Sequence, residues 1–234
     1  MNKLIVVTGG TKGIGRAVLD RFSRAGFDVA TCSRKGVELE KLDGEIGKAA
    51  GVNVFTHVTD MSVKDEVIRF GDYVNSLQRP VDVLVNNAGY FIPGSVLEEP
   101  EGSLESMINS NVLSAYYLTR ILAPNMKKGR DGHIFNICSI ASIKAYPNGG
   151  SYAISKFALF GFSKVLREEL KEFGIRVTSV LPGATRTASW DGVDLPDDRF
   201  MSKEDVAETI YSAYSLSKRS VVEEIIIRPQ LGDI

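Results

Sequence analysis

The sequence predicts a doubly wound α/β fold, with a seven-stranded, mostly parallel sheet and helices on both of its faces. Three observations predict it. Seven short apolar runs alternate with helix-patterned stretches along 234 residues. The runs are almost continuously apolar, as strands are when both faces of a sheet are covered. The first two runs are joined by a glycine-rich turn and a helical pattern within about 30 residues, the length of one βαβ unit.

Each element follows from its local pattern. Residues 3–8 form a β-branched run that reads as a buried strand. Gly9, Gly13 and Gly15 come next, then a helical face of Ile14, Val18, Phe22 and Ala25 that stops at Gly26. Residues 27–32 are strand two. Residues 37–50 are helix-like, weakened by Gly44 and Gly47. Residues 52–58 are strand three and residues 62–77 a helix with Asp65 and Glu66 in its first turn. Residues 82–85 are a strand that ends at Asn86-Asn87-Ala88-Gly89. Residues 103–128 carry one or two helices around Asn111. Residues 133–138 are a strand and residues 151–173 a long helix, with Gly174 as its C-cap. Residues 175–181 are a strand broken by Pro182-Gly183. Residues 202–215 are a helix capped by Ser202, and residues 224–227 the last strand. Crossovers in such a sheet are right-handed. No linker or low-complexity tract interrupts the alternation, so the expectation is one domain over residues 1–234.

Bulk properties narrow the function. A chain this long buries roughly 70–75% of its unfolded surface, enough for a core without staples. Net charge is −1 and no basic run appears, which argues against nucleic acid and anionic membrane as partners. Cys32 and Cys138 both sit in apolar runs and read as buried thiols of a reducing compartment. The apolar run at residues 4–7 is too short for a signal peptide, and no stretch approaches a membrane span. A cytoplasmic protein is expected. His57 and His133 read as satisfied strand-end residues, and two histidines with two distant cysteines give no metal cluster.

The chemistry centres on Ser151-Tyr152-Ala153-Ile154-Ser155-Lys156. Four-residue spacing places Tyr152 and Lys156 on one helix face. A phenol has a pKa near ~10, and an adjacent ammonium favours the phenolate, so the pair reads as a general acid/base. Ser139 lies thirteen residues upstream at a strand end, where its hydroxyl could hold the oxygen that Tyr152 protonates. The spacing alone is weak evidence: Tyr214 and Lys218 share it, with Met201 thirteen residues before them and no hydroxyl there. The glycine-rich turn, Thr8-Gly9-Gly10-Thr11-Lys12-Gly13-Ile14-Gly15, would present backbone N–H groups to an anion at a helix N-terminus. From Gly10 to Gly15 it has the glycine spacing of a P-loop, but Arg16 and Ala17 replace the lysine and hydroxyl, which disfavours nucleotide hydrolysis. The strict G-x-G-x-x-G fingerprint also fails, at Val18.

Taken together, these motifs resemble those of the short-chain dehydrogenase/reductase family from end to end. The resemblance rests on Thr8-Gly9-x-x-x-Gly13-x-Gly15, Asp60, Asn86-Asn87-Ala88-Gly89, Asn111, Ser139, Tyr152, Lys156 and Pro182-Gly183 with Thr185 and Thr187. It implies a Rossmann fold and NAD(P)-dependent hydride transfer between cofactor and a small carbonyl or alcohol. It implies a catalytic set of Asn111, Ser139, Tyr152 and Lys156. Tyr152 would be the proton donor and Ser139 an oxyanion-type partner. Lys156 would lower the Tyr152 pKa and bind the nicotinamide ribose, and Asn111 would hold a water leading from Lys156 to solvent. Cofactor contacts are implied for Gly9, Thr11, Lys12, Gly13, Ile14 and Gly15. Others are implied for Ser33, Arg34, Asp60, Met61, Asn87, Ala88, Gly89, Pro182, Gly183, Thr185 and Thr187, beside Tyr152 and Lys156.

Cofactor choice is read at the end of strand two, where NAD enzymes place an acid on the ribose 2′-hydroxyl. Here Ser33-Arg34-Lys35 stands instead, without a carboxylate and with a guanidinium. Lys12 adds a second cation, so NADP(H) is the expected cofactor and reduction the working direction. Substrate should be lined by residues 90–93, 140–147 and 184–200, the last containing Trp190, Asp191, Pro196 and Phe200 and reading as a lid. The tail Val222-Glu223-Glu224-Ile225-Ile226-Ile227-Arg228-Pro229 departs from acyl-carrier-protein ketoreductases and is more like sepiapterin-type or general carbonyl reductases. NAD-dependent alcohol oxidation, 3-oxoacyl-carrier-protein reduction and a non-catalytic NADP(H) sensor are the alternatives. Relatives form dimers or tetramers through their long helices, and Phe157, Phe160 and Phe162 suit such packing.

Overall fold

A computed structural model of the chain describes residues 1–190, 192 and 194–233. Seven strands form one sheet: β1 (Leu4–Thr8), β2 (Asp28–Ser33), β3 (Val54–Val58), β4 (Val83–Asn86), β5 (Gly132–Ile137), β6 (Ile175–Pro182) and β7 (Glu224–Ile227). Their order is β3-β2-β1-β4-β5-β6-β7 and every neighbouring pair is parallel, so the mostly parallel sheet expected is parallel throughout. Strand three begins two residues later than the apolar pattern suggests, because Val52 and Asn53 are taken up by a turn.

The helices are α1 (Gly13–Ser23), α2 (Gly36–Leu42), α3 (Lys64–Ser76), α4 (Ser103–Ile108), α5 (Ser114–Gly129), α6 (Gly150–Leu170) and α7 (Lys203–Ser215). A wide π turn, Asp43–Gly47, follows α2 where Gly44 and Gly47 fall. A second, Asn109–Leu113, joins α4 to α5 and contains Asn111. The long helix ends in a 3₁₀ turn, Lys171–Phe173, and Gly174 then takes φ +71° as its left-handed stop. Ser202 caps α7 by accepting the Asp205 N–H at 3.0 Å.

Alternation along β1 shows why both faces are covered. Ile5 and Val7 point into one core with Phe22, Leu19, Leu39, Val206 and Ile210, which belong to α1, α2 and α7. Leu4 and Val6 point into the other with Val67, Phe70, Leu118, Leu122 and Leu166, from α3, α5 and α6. Each such fully buried side chain stabilises the fold by about 1.5–3 kcal/mol. The chain winds outward from β1 in one direction and from β4 in the other. Ligands of open parallel sheets bind at that reversal, beyond the carboxyl ends of the strands. Among the described residues, no helix is long and apolar enough to cross a membrane.

Candidate active site

The glycine turn sits at the reversal and is shaped by close packing. Gly9 and Gly13 adopt φ +68° and +57°, a region that L side chains rarely adopt. At Gly15 a Cβ would stand 2.5 Å from Asn87 Nδ2 and 2.6 Å from the Gly9 carbonyl oxygen. Asn87 in turn donates to the Thr8 carbonyl at 2.8 Å, and the Thr8 hydroxyl accepts the N–H groups of Asn87 and Ala88 at 2.9 and 2.8 Å. The Asn86-Asn87-Ala88-Gly89 motif thus clamps the end of β4 to the glycine turn. Gly13 faces Thr187, whose methyl would lie 3.4 Å from a Cβ there. The result is a cradle at the start of α1 that fits a dinucleotide diphosphate in size and polarity.

Beyond β5 and along α6 lies the second half of the site. Ser139 follows β5 and caps a 3₁₀ turn, Ile140–Ser142, its hydroxyl oxygen accepting the Ala141 N–H at 3.1 Å. Tyr152, in the first turn of α6, lies near enough to Ser139 for that hydroxyl to favour its phenolate. Phe91 packs edge-on against the Tyr152 ring with centroids 4.8 Å apart. Lys156 is buried, lies 5.6 Å from the Tyr152 ring centroid, and donates to the Ile137 carbonyl at 2.8 Å. Asn111 is buried as well: its Oδ1 accepts the Tyr90 N–H at 2.9 Å, and its amide donates to the Tyr90 carbonyl at 3.1 Å and the Ser155 hydroxyl at 2.9 Å. Both amide protons are used within the protein. The four residues implied by the family resemblance lie near one another, and Gly89 leaves room for two of them: a Cβ there would lie 2.8 Å from Asn111 Oδ1 and 3.7 Å from Lys156 Nζ.

The electrostatics differ from expectation. Lys156 does not lower the Tyr152 pKa in this state. Burial pushes the phenol above its ordinary value, and the Ser139 hydroxyl only works against that. Burial also lowers Lys156, to about 8, and the nearby Cys138 sulfur opposes it weakly. Desolvation is the largest cause for both members of the pair, raising the phenol and lowering the ammonium. Cys138 is raised to about 11 by burial and stays a thiol.

The remaining expected residues are placed as follows. Asp60 accepts the Ser62 N–H and hydroxyl at 2.9 and 2.7 Å. Burial alone would raise it, but those bonds and Arg34 leave it lower than usual. Met61 is buried beside it. Pro182 pairs with Ile227 at the end of β6, and Gly183 donates to the Ile227 carbonyl at 2.8 Å. Thr185 bridges to Met201, so residues 184–200 leave and return at one point. Within that segment Trp190 meets Phe200 edge-on at 5.2 Å, while Asp191 lies outside the described residues. The second Tyr/Lys pair is engaged elsewhere: Tyr214 takes a hydrogen bond from Lys3 and Lys218 pairs with Asp131 at 2.6 Å, at the amino end of the sheet. His133 is buried against Thr178 and Phe135 there, and His57 bonds Thr59.

Two carboxylates escaped the sequence reading. Glu99 accepts the backbone N–H of Ser151 at 3.3 Å and also its hydroxyl, which ties the residue before Tyr152 to the loop after β4. Glu38 reaches back from α2 to the glycine turn, ion-paired to Lys12 at 2.9 Å. The expectation that no carboxylate stands beside Arg34 and Lys35 is therefore corrected. The acid is absent from the end of β2, and the first turn of α2 supplies one.

A site of this kind at the reversal of a doubly wound sheet places the chain among Rossmann-type oxidoreductases. The profile of the family described as short chain dehydrogenase matches residues 3–196. Sepiapterin reductase of Chlorobaculum tepidum is 35% identical over 100% of this chain and 99% of its own length. An alcohol dehydrogenase from the archaeon Thermococcus sibiricus, solved with 5-hydroxy-NADP, superposes with a TM-score of 0.92 at 28% identity, covering 98% of this chain and 97% of that one. L-sorbose reductase from Gluconobacter frateurii, solved with NADPH and L-sorbose, gives 0.90 at 25% identity over 97% and 95%. The chain belongs to the short-chain dehydrogenase family.

Proposed function

We propose that this protein is an NADPH-dependent carbonyl reductase that converts a small ketone or aldehyde to an alcohol. The observation that carries the reading is Tyr152. It lies at the carboxyl end of the sheet beside Ser139 and Lys156, and desolvation favours its protonated form. A phenol in that state is a donor, which suits reduction better than oxidation. NADPH, when bound, supplies the hydride. Gly9, Thr11, Lys12, Gly13, Ile14 and Gly15 would hold its diphosphate side, with Ser33, Arg34, Asp60 and Met61 around the adenosine. Asn87, Ala88, Gly89 and Lys156 would hold the nicotinamide ribose, and Pro182, Gly183, Thr185 and Thr187 the amide. Support for NADP(H) over NAD(H) comes from the cations at Lys12 and Arg34 and from the NADP and NADPH named with several structural relatives.

In the mechanism this implies, the Ser139 hydroxyl keeps its proton and donates a hydrogen bond to the carbonyl oxygen as that oxygen gains charge. Tyr152 then releases its proton to the same oxygen. The Lys156 ammonium, 5.6 Å from the ring, stabilises the phenolate left behind. Phe91 shields the ring edge from water. A panel of ketones, aldehydes, diketones and sepiapterin with NADPH, followed by loss of the reduced nicotinamide absorbance, tests the reading. Turnover of at least one carbonyl is expected. Activity confined to alcohols with NAD⁺ would replace it with the oxidative alternative, and cofactor binding without any turnover would leave a sensor. An oligomer through α6 belongs to the same reading, since Ile154, Phe157 and Val165 are exposed on that helix, whereas Phe160 and Phe162 pack inward.

A further inference from the structure

The two cations that favour NADP(H) are already engaged. Arg34 acts on Asp60, and Lys12 is paired with Glu38. The surroundings of Glu38 are those of an anion site. Its Oε1 lies 2.9 Å from Lys12 Nζ and 3.6 Å from Lys35 Nζ, and its Oε2 accepts the Thr11 hydroxyl at 3.0 Å. The Ser33 hydroxyl stands 3.4 Å from the same Thr11 oxygen. Two ammoniums and a hydroxyl, drawn from the glycine turn and the end of β2, converge on one carboxylate. A phosphate monoester uses the same donors.

We propose that Glu38 is a built-in occupant of the 2′-phosphate subsite. Its carboxylate takes the donors of Thr11, Lys12 and Lys35 until the 2′-phosphate of the cofactor displaces it, so Glu38 sets how strongly NADPH is preferred over NADH. This rests on the NADP(H) reading above. Displacement is feasible because the pair is partly open to water, with Lys12 64% and Glu38 23% exposed, and open ion pairs are weakly held. Both consequences of the charge act in one direction. The carboxylate competes for the lysines, and once displaced it remains a like charge beside the phosphate. A ligand with a free 2′-hydroxyl meets neither effect.

The test measures binding by calorimetry for wild type, Glu38→Gln and Glu38→Ala, with 2′,5′-ADP and with 5′-AMP, which differs from it only in lacking the 2′-phosphate. Both Glu38 variants should bind 2′,5′-ADP about tenfold more tightly, with 5′-AMP unchanged. Two results overturn the proposal: an unchanged ratio of the two affinities, or weaker 2′,5′-ADP binding in both variants, which would make Glu38 a prop for Lys12. The wild-type ratio is read separately. A wild type with no preference for 2′,5′-ADP defeats the NADP(H) reading, while a preference that appears only on removing Glu38 still upholds this one.

Discussion

The two ends of the sheet each bury a cation, and they treat it in opposite ways. At the amino end, Arg79 meets the Asp28 carboxylate at 2.7 Å, with the two side chains 7% and 2% exposed. Asp28 also accepts from Asn2 at 3.0 Å and from Asn53 at 2.9 and 3.1 Å. Burial works to raise Asp28, yet the Asn53, Arg79 and Asn2 bonds win and lower it to about 2. At the carboxyl end, Lys156 is as deeply buried but forms no ion pair among the described residues and donates to a carbonyl. Desolvation there is not offset, and the lysine falls to about 8. Satisfied charge holds a fold together, whereas uncompensated charge is ready to respond to an incoming group. The difference marks which end is scaffold and which is site.

The largest expected effect separates the ends outright. Tyr152→Phe should lower turnover by ~10²–10⁴-fold while cofactor binding and melting temperature stay near wild type; normal turnover would break the comparison at its active end. The converse change is Asp28→Asn, which leaves Arg79 buried without its counter-charge. It should cost about 3–5 kcal/mol in urea unfolding and leave the activity of the folded fraction intact. The wild-type contribution of Asp28 is fully present above its unfolded value of 3.8 and is lost as pH falls through about 2. The Asn variant should therefore show a flatter acid limb between those values.

Lys156 sharpens the comparison with the reverse sign. Its folded pKa is depressed from 10.5 to about 8, so between these values the unfolded chain binds more protons and stability should rise with pH. Lys156→Met should remove that rise, seen in melting temperatures across the same range. Where the ammonium is needed for turnover, kcat/KM should fall above about pH 8. The smallest effect belongs to Glu99. Replacing it with Gln keeps shape and weakens the tie to Ser151, so KM should hold while kcat drops by about tenfold or less, as for the loss of one charge-assisted hydrogen bond.

Much of this site was legible because helical spacing is a strong rule. Tyr152 and Lys156 share a face for the same reason that any i, i+4 pair does. The rule cannot tell this pair from Tyr214 and Lys218. Only the tertiary fold brings a hydroxyl and a glycine turn to the first pair and surface partners to the second. The pKa direction was hidden because desolvation depends on what covers a pair, here Phe91 among others, and not on the spacing within it. Glu38 and Glu99 were missed because each reaches its partners across a turn, at separations that carry no periodic signal. The π turn at Asn111 has no composition of its own, although the glycines in the helix after β2 did announce irregularity there.

One consequence follows from the bridge between Thr185 and Met201. The bridge holds the two ends of the stretch together at the end of β6, and Thr187 within it packs on the glycine turn. Doubling the length of such a loop costs only ~0.6 kcal/mol of closure entropy. Exchanging this stretch as a cassette is therefore expected to leave the sheet and the residues of the proposed site behind it in place.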